Sequence, residues 1–132
     1  MRYIRIHLNI IIFRCSEGFL VLSGQICAAA SRTFVHFSIA RDFIFRLKEA
    51  FKSASGAMGP DPSQMRTTPG PLTDKLQFDR VMSYIQSGKS QAELVVGGER
   101  EGIAGCFAQP IIFLNPQKNA KVYNRNHSSQ RQ

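Results

Sequence analysis

The order of predicted elements along the 132-residue chain indicates an α/β fold class, an open sheet with flanking helices. Three observations support it. Short β-branched and aromatic runs predict strands, two stretches with apolar residues at helical spacing predict helices, and a loop rich in proline and glycine separates those helices. The elements follow in the order strand, helix, loop, helix, strand, strand. The chain has no internal repeat, no glycine-rich dinucleotide fingerprint and no phosphate-binding P-loop.

Residues 1–13 form an apolar stretch. Aliphatic residues alternate with polar ones, at Ile4, Ile6, Leu8 and Ile10. This alternation predicts a strand. Arg2 and Arg5 before an apolar run would also suit a secretory signal, but the run ends at Arg14 and is too short to span a bilayer. We therefore expect a cytoplasmic protein without a membrane partner.

The first predicted strand and helix follow the region that contains Cys27. Residues 32–37 alternate and predict a strand, on which His36 would be half-exposed rather than a catalytic base. Ser38 is a suitable N-cap. Apolar residues then recur at i, i+4, i+7 and i+8, at Phe43, Leu47, Ala50 and Phe51. This spacing predicts an amphipathic helix that ends at Gly56.

The second half begins with a loop over residues 56–71 that holds four prolines and three glycines. Thr73 can cap the next helix and Asp74 complements its dipole, while Gly88 ends it. The predicted buried stripe of this helix consists of Leu76, Phe78, Val81, Met82 and Ile85. Residues 93–96, followed by Gly97 and Gly98, predict a short strand and a turn, and residues 107–114 predict a further strand.

Charge and cysteine usage exclude several classes of protein. The net charge is +8, but the 17 Lys and Arg are scattered along the sequence. We therefore expect that the protein binds neither nucleic acid nor an anionic membrane surface. Three cysteines, Cys15, Cys27 and Cys106, form no CxxC pair and have no histidine cluster nearby. This pattern argues against a disulfide framework and against a metal site, and it suits a reducing compartment.

One segment, residues 24–35, reads GQICAAASRTFV and contains Cys27 among small residues. Small neighbours allow close approach of a ligand to a thiol, but a cysteine beside alanines is also typical of a buried core. Residues 20–32, LVLSGQICAAASR, closely resemble the active-site cysteine motif of the aldehyde dehydrogenase superfamily. Residues 70–81 resemble the Gly-Pro segment of that family and the helix after it. Tyr84-Ile85, Gly88, Gly97-Gly98 and residues 107–113 continue in the family's order.

The resemblance implies that residues 16–123 are a partial catalytic domain of an aldehyde dehydrogenase. Residues 1–15 would be a divergent leader and residues 124–132 a polar tail. Cys27 would attack an aldehyde substrate to give a thiohemiacetal and then a thioester, with NAD or NADP as cofactor. Gln77 and Arg80, one helical turn apart, would face the cofactor ribose, although two solvent-facing polar residues are an equally valid interpretation.

The resemblance also implies that further parts of the family's site lie outside this chain. The family's general base is a glutamate in a Glu-Leu-Gly-Gly segment upstream, and its Glu-Glu-Ile-Phe-Gly-Pro motif is replaced here by Asn124-Arg125-Asn126. Leu22 stands where the family usually has asparagine. We therefore expect the isolated chain to be a poor catalyst or none. Two alternatives stay open: a non-catalytic interaction fragment that binds a full-length relative or self-associates, and a thiol-reactive protein that uses Cys27 without cofactor.

Overall fold

A computed structural model describes residues 2–29, 31–59, 63 and 69–124, and it describes the side chains from Leu8 to Val122 within those ranges. The helices are α1 (Arg2–Leu20), α2 (Phe37–Gly56), α3 (Lys75–Lys89) and α4 (Lys121–Asn124). The strands β1 (Glu93–Val96) and β2 (Ile112–Leu114) pair in antiparallel orientation. The predicted α/β class with flanking helices is thus confirmed. Half of the predicted proline-rich loop lies outside the described residues, as does all but the first residue of the polar tail.

The N-terminal apolar stretch forms helix α1, so the strand predicted there is wrong. Leu8 and Ile12 are only 5% and 6% exposed, and Ser16, one further turn along, is also buried. These residues recur every four positions and lie on one helical face. The sequence pattern did not indicate this face for two reasons. The isoleucines alternate as in a strand, and the third position of the buried face is a serine. Helix α1 passes without interruption through residue 15, and the division between leader and domain stays a prediction.

Helix α2 has the predicted extent and packs against α1. Phe43 is 3% exposed and contacts Leu8 and Ile12 in a cluster bordered by half-buried side chains of Cys15, Val35, Ile39 and Leu47. Phe51, also buried, stacks on Phe19 with ring centroids 5.7 Å apart. The N-cap is His36, whose Nδ1 accepts the Ser38 N–H at 3.3 Å, and not Ser38 itself. The predicted stripe and the end at Gly56 are confirmed.

The strand predicted over residues 32–37 is absent. Residues 31–36 have no regular secondary structure, and Phe37 already belongs to α2. Phe34 and Phe37 are 87% and 85% exposed. A strand is stabilised by its ladder and by cross-strand side chains. No other segment of the described chain pairs with these residues, so their β-propensity alone does not produce a strand.

Helix α3 and the hairpin form the second half of the described structure. Asp74, one residue after the predicted Thr73, is the N-cap of α3 and accepts the Gln77 N–H at 2.7 Å. Phe78 and Ile85 are buried as predicted, but Leu76 is 70% exposed and does not belong to the buried stripe. Strand β1 has the predicted bounds. The second strand is shorter than the predicted 107–114 and begins only after Pro110, which has no N–H to donate.

Candidate active site around Cys27

Cys27 lies on the surface in a turn. The Ala29 N–H donates to the Ile26 carbonyl at 3.0 Å, so Cys27 and Ala28 are the central residues of a β-turn. The thiol is free and the residue is exposed, which excludes the interpretation of Cys27 as a buried core residue. No described residue forms a hydrogen bond with the thiol. A reagent in solution can therefore reach Cys27 directly.

The chain reaches this turn through a left-handed segment at the end of α1. Leu22 and Ser23 have φ of 53° and 55°, and Gly24 follows with a φ of 73°. Glycine adopts this region at no steric cost, whereas a leucine there is disfavoured by contact of its Cβ with the backbone. Strained backbone of this kind persists only where surrounding contacts hold it.

The contacts that hold this segment come from Gln25 and Ser23. The Gln25 N–H and its side-chain Nε2 both donate to the Leu22 carbonyl, at 3.0 and 3.1 Å. Gln25 Oε1 accepts from the N–H and the hydroxyl of Thr73, at 3.0 and 2.8 Å. The Ser23 hydroxyl donates to the Gly70 carbonyl. The cysteine segment is thus bonded to residues 70–73, and these are the two segments with the most specific resemblance in the sequence.

Helix α3 carries Gln77 and Arg80, and its N-terminal end is linked to the cysteine segment through Thr73. Thr73 immediately precedes the N-cap Asp74, so the start of α3 adjoins the cysteine segment. Gln77, in the first turn, is half-buried, and Arg80, one turn further along, is exposed. Both residues lie in the first half of α3, whose start adjoins the cysteine segment. His36 does not join this group, since its ring caps α2.

A cavity of about 730 Å³ opens beside the site, between the C-terminal ends of α1 and α2 and residues 69–71. Its lining is mainly apolar, with Glu17 and Gln25 among the polar exceptions, and it consists of Phe13, Ser16, Glu17, Leu20, Val21, Leu22, Gln25, Ala50, Ser53, Ala54, Ala57, Pro69, Gly70 and Pro71. Cys27 is not one of these residues. The cavity is thus bordered by the left-handed segment but not by Cys27.

The remaining features limit the chemistry of the site. Within the described ranges, no three histidine, cysteine or acidic side chains group closely enough to hold a metal ion. Of the helices described, none is both long and apolar enough to cross a membrane. These observations define a candidate site in an α/β domain: an exposed thiol in a turn, hydrogen-bonded through Gln25 to the segment that precedes α3.

Comparison with known proteins assigns this chain to a family. The sequence model of the Aldehyde dehydrogenase family matches residues 7–127, which is most of the chain. The chain therefore belongs to the aldehyde dehydrogenase family.

Individual relatives agree in both sequence and structure. An aldehyde dehydrogenase of Aspergillus niger is 42% identical over 106 residues, 80% of this chain and 21% of that protein. One of Alternaria alternata is 44% identical over 100 residues, 75% of this chain and 20% of that protein. The NAD+ complex of a Bacillus cereus aldehyde dehydrogenase is 30% identical with a TM-score of 0.80, covering 91% of this chain and 24% of that chain. The chain thus spans about a fifth of the length of the curated relatives it matches.

The sequence singled out Cys27, Gln77 and Arg80 but missed how the site is held together. Gln25 was noted only as part of the motif around Cys27, and Thr73 only as a helix cap. Residues 20–32 and residues 70–81 both resemble the same family. This shared resemblance was the available signal that the two segments lie close together. The hydrogen bonds between them join residues 48 positions apart and have no local signature.

Proposed function

We propose that Cys27 is the nucleophile of an NAD(P)-dependent oxidation of an aldehyde to a carboxylic acid. The observation that carries this proposal is the exposed thiol at the centre of a turn, directly after the hydrogen-bonded Gln25. The Cys27 thiolate would add to the carbonyl carbon and form a thiohemiacetal. Loss of the aldehyde hydrogen as hydride would leave a thioester on Cys27. Water would then release the acid and regenerate the thiol.

The backbone of the turn supports the first step. Addition of the thiolate places negative charge on the former carbonyl oxygen, and a nearby N–H stabilises such an oxyanion. The N–H groups of Cys27 and Ala28 donate to no other described group. The small Ala28 side chain leaves space for the substrate beside them. We expect these amides to stabilise the thiohemiacetal oxyanion.

The residues of α3 fit the sugar of a nucleotide. Gln77 offers amide donors and acceptors, and Arg80 offers an exposed guanidinium one turn away, so both could bind ribose hydroxyls. When bound, NAD or NADP supplies the hydride acceptor. The described residues contain no Gly-x-Gly-x-x-Gly fingerprint of a diphosphate-binding loop. The chain's own contribution would therefore be to hold the ribose near Cys27.

For hydrolysis of the thioester, the described residues offer no general base beside Cys27. No carboxylate or imidazole among them forms a hydrogen bond with Cys27. Glu17, on α1, lines the cavity that borders the left-handed segment. Cys27 does not line this cavity. Because activation of water needs a base within hydrogen-bond reach, we expect this chain alone to form the thiohemiacetal but to turn over slowly or not at all.

The test separates addition from turnover. A short-chain aldehyde should slow alkylation of Cys27 by iodoacetamide, because the thiohemiacetal has no free thiol, while alkylation of Cys106 should be unaffected. Formation of reduced cofactor from aldehyde and NAD, with Cys27→Ser as the negative and Cys106→Ser as the matched control, measures turnover. Equal alkylation of both cysteines with and without aldehyde would contradict the role of Cys27. Rapid, Cys27-dependent turnover would contradict the expectation of an inactive chain.

We also propose that the protein acts in the cytoplasm. All three cysteines are free, as expected in a reducing compartment. A relative from Leishmania tarentolae is named as mitochondrial, so the location needs its own measurement. A fluorescent fusion that co-localises with a cytosolic marker is the expected outcome, and mitochondrial signal would contradict it. Association with a second copy or with a full-length relative stays a prediction, tested by light scattering.

A further inference from the structure

We propose that Gln25 is a positioning residue that fixes the Cys27 turn relative to the start of α3. The inference rests on the proposed role of Cys27 as nucleophile. It is carried by one observation: every hydrogen-bonding position of the Gln25 side-chain amide is occupied, by groups from both sides of the site.

The two donors of this amide face backbone carbonyls. Nε2 donates to the Leu22 carbonyl at 3.1 Å and to the Pro71 carbonyl at 3.3 Å. The first of these bonds closes the left-handed segment, and the second crosses to residues 70–73. A carboxylate at this position would present only acceptors to two carbonyl oxygens. Glutamate is therefore the isosteric substitution that removes both bonds.

The two acceptor positions of the same amide face Thr73. Oε1 accepts the Thr73 N–H at 3.0 Å and the Thr73 hydroxyl at 2.8 Å. Since a backbone N–H can only donate and a backbone carbonyl can only accept, these four partners define one orientation of the amide. No other uncharged side chain of this length supplies two donors and two acceptors from one planar group.

These bonds link the thiol to α3 through few intervening residues. On one side only Ile26 separates Gln25 from Cys27, and the turn beyond is closed by the Ala29–Ile26 bond. On the other side Thr73 adjoins Asp74, whose carboxylate holds the Gln77 N–H at 2.7 Å. Gln25 therefore sets the position of the nucleophile relative to the residues proposed to bind ribose. A displacement of about 1 Å between reacting groups can cost a hundredfold in rate, so such a link serves catalysis.

The experiment compares matched variants of the full 132-residue chain. Gln25→Glu removes both donors, Thr73→Val removes one hydroxyl donor, and Thr73→Ser retains it. Hydrogen exchange measured by NMR at the Ala29 and Thr73 amides reports on the two linked segments, and amides inside α2 report on global stability. We expect Gln25→Glu to speed exchange at Ala29 by about tenfold, with α2 unchanged. Exchange at Thr73 should speed up less, because the carboxylate still accepts the Thr73 N–H.

Graded effects are expected in the other variants and in reactivity. Thr73→Val should speed exchange at the same amides by about threefold, and Thr73→Ser should resemble the unaltered chain. The aldehyde concentration that half-protects Cys27 from iodoacetamide should rise by about tenfold in Gln25→Glu, because the turn no longer holds its amides in place. Thr73→Val provides the same test at smaller scale if Gln25→Glu does not fold.

Two results would overturn the positioning role. Faster exchange at Thr73 with unchanged exchange at Ala29 would mean that Gln25 serves only the start of α3. Equal acceleration at all amides, α2 included, would mean that it serves only general stability. Failure of the proposed function is distinct from both, because the unaltered chain would then show no aldehyde protection of Cys27 whatever its amide exchange.

Discussion

The Leu72 N–H donates to the carbonyl of Cys106 at 2.9 Å and joins residues 70–73 to the loop between β1 and β2. These residues therefore lie between two sets of bonds, with Gln25 and Ser23 on one side and the Cys106 loop on the other. Leu72 is itself buried at 7% exposure. The position of the cysteine segment thus depends on a part of the chain far from it in sequence.

Arg100 should be the residue that holds this loop. Its Nη2 donates to the carbonyls of Ile103 and Gly105, at 3.1 and 2.9 Å, and its guanidinium lies 5.4 Å from the Phe78 ring centroid. Lysine keeps the charge but cannot reproduce the planar contacts. We expect Arg100→Lys to lower the free energy of unfolding by about 1 kcal/mol in urea denaturation. Lys75→Arg, at an exposed surface ion pair, is the control and should change it little. Equal midpoints for both variants would contradict this role of Arg100.

Leu22 should be a site where substitution stabilises the protein. Its φ of 53° lies in the left-handed region, and its side chain is 61% exposed, so little burial is lost on replacement. Asparagine tolerates this region better than leucine. We expect Leu22→Asn to raise the free energy of unfolding by about 1 kcal/mol. Val21→Asn, at an exposed neighbour without positive φ, should not raise it. A lower stability for Leu22→Asn would refute the assignment of strain.

The elements that sequence alone predicted correctly are those whose pattern is local. Helix α2 shows its period at Phe43, Leu47 and Phe51, and β1 lies directly before its glycine turn. Helix α1 was missed because alternating isoleucines imitate a strand while the face that packs on Phe43 includes a serine. The strand at residues 32–37 was predicted from propensity, but strand formation depends on a partner segment. For the candidate site, the motif predicted Cys27 as the nucleophile, whereas the Gln25–Thr73 bonds are visible only in the folded chain.

Any side chain at Gly97 should lower the stability of the protein strongly, because the fold leaves no space for it. A Cβ added at Gly97 would lie 1.8 Å from the Pro110 carbonyl oxygen, and its φ is +73°. Gly102 has a similar φ of +67°, but nothing lies within 4 Å of its added Cβ. We expect Gly102→Ala to cost about 1 kcal/mol from backbone conformation alone. Gly97→Ala should cost at least about 3 kcal/mol, because the hairpin must also open. Similar losses in thermal unfolding would mean that the Pro110 contact is relieved without cost.

Phe43 and Phe45 should separate the packed face of α2 from its exposed face. Phe43 is 3% exposed and lies against Leu8 and Ile12 of α1, whereas Phe45, on the same helix, is 66% exposed. Truncation of a buried phenylalanine removes apolar burial and leaves a cavity, so we expect Phe43→Ala to lower the free energy of unfolding by about 3–5 kcal/mol. Phe45→Ala should change it by less than about 0.5 kcal/mol. Urea denaturation followed by circular dichroism measures both. Comparable losses would show that α1 does not pack on α2 through Phe43 in solution, and the predicted N-terminal strand would again have to be considered.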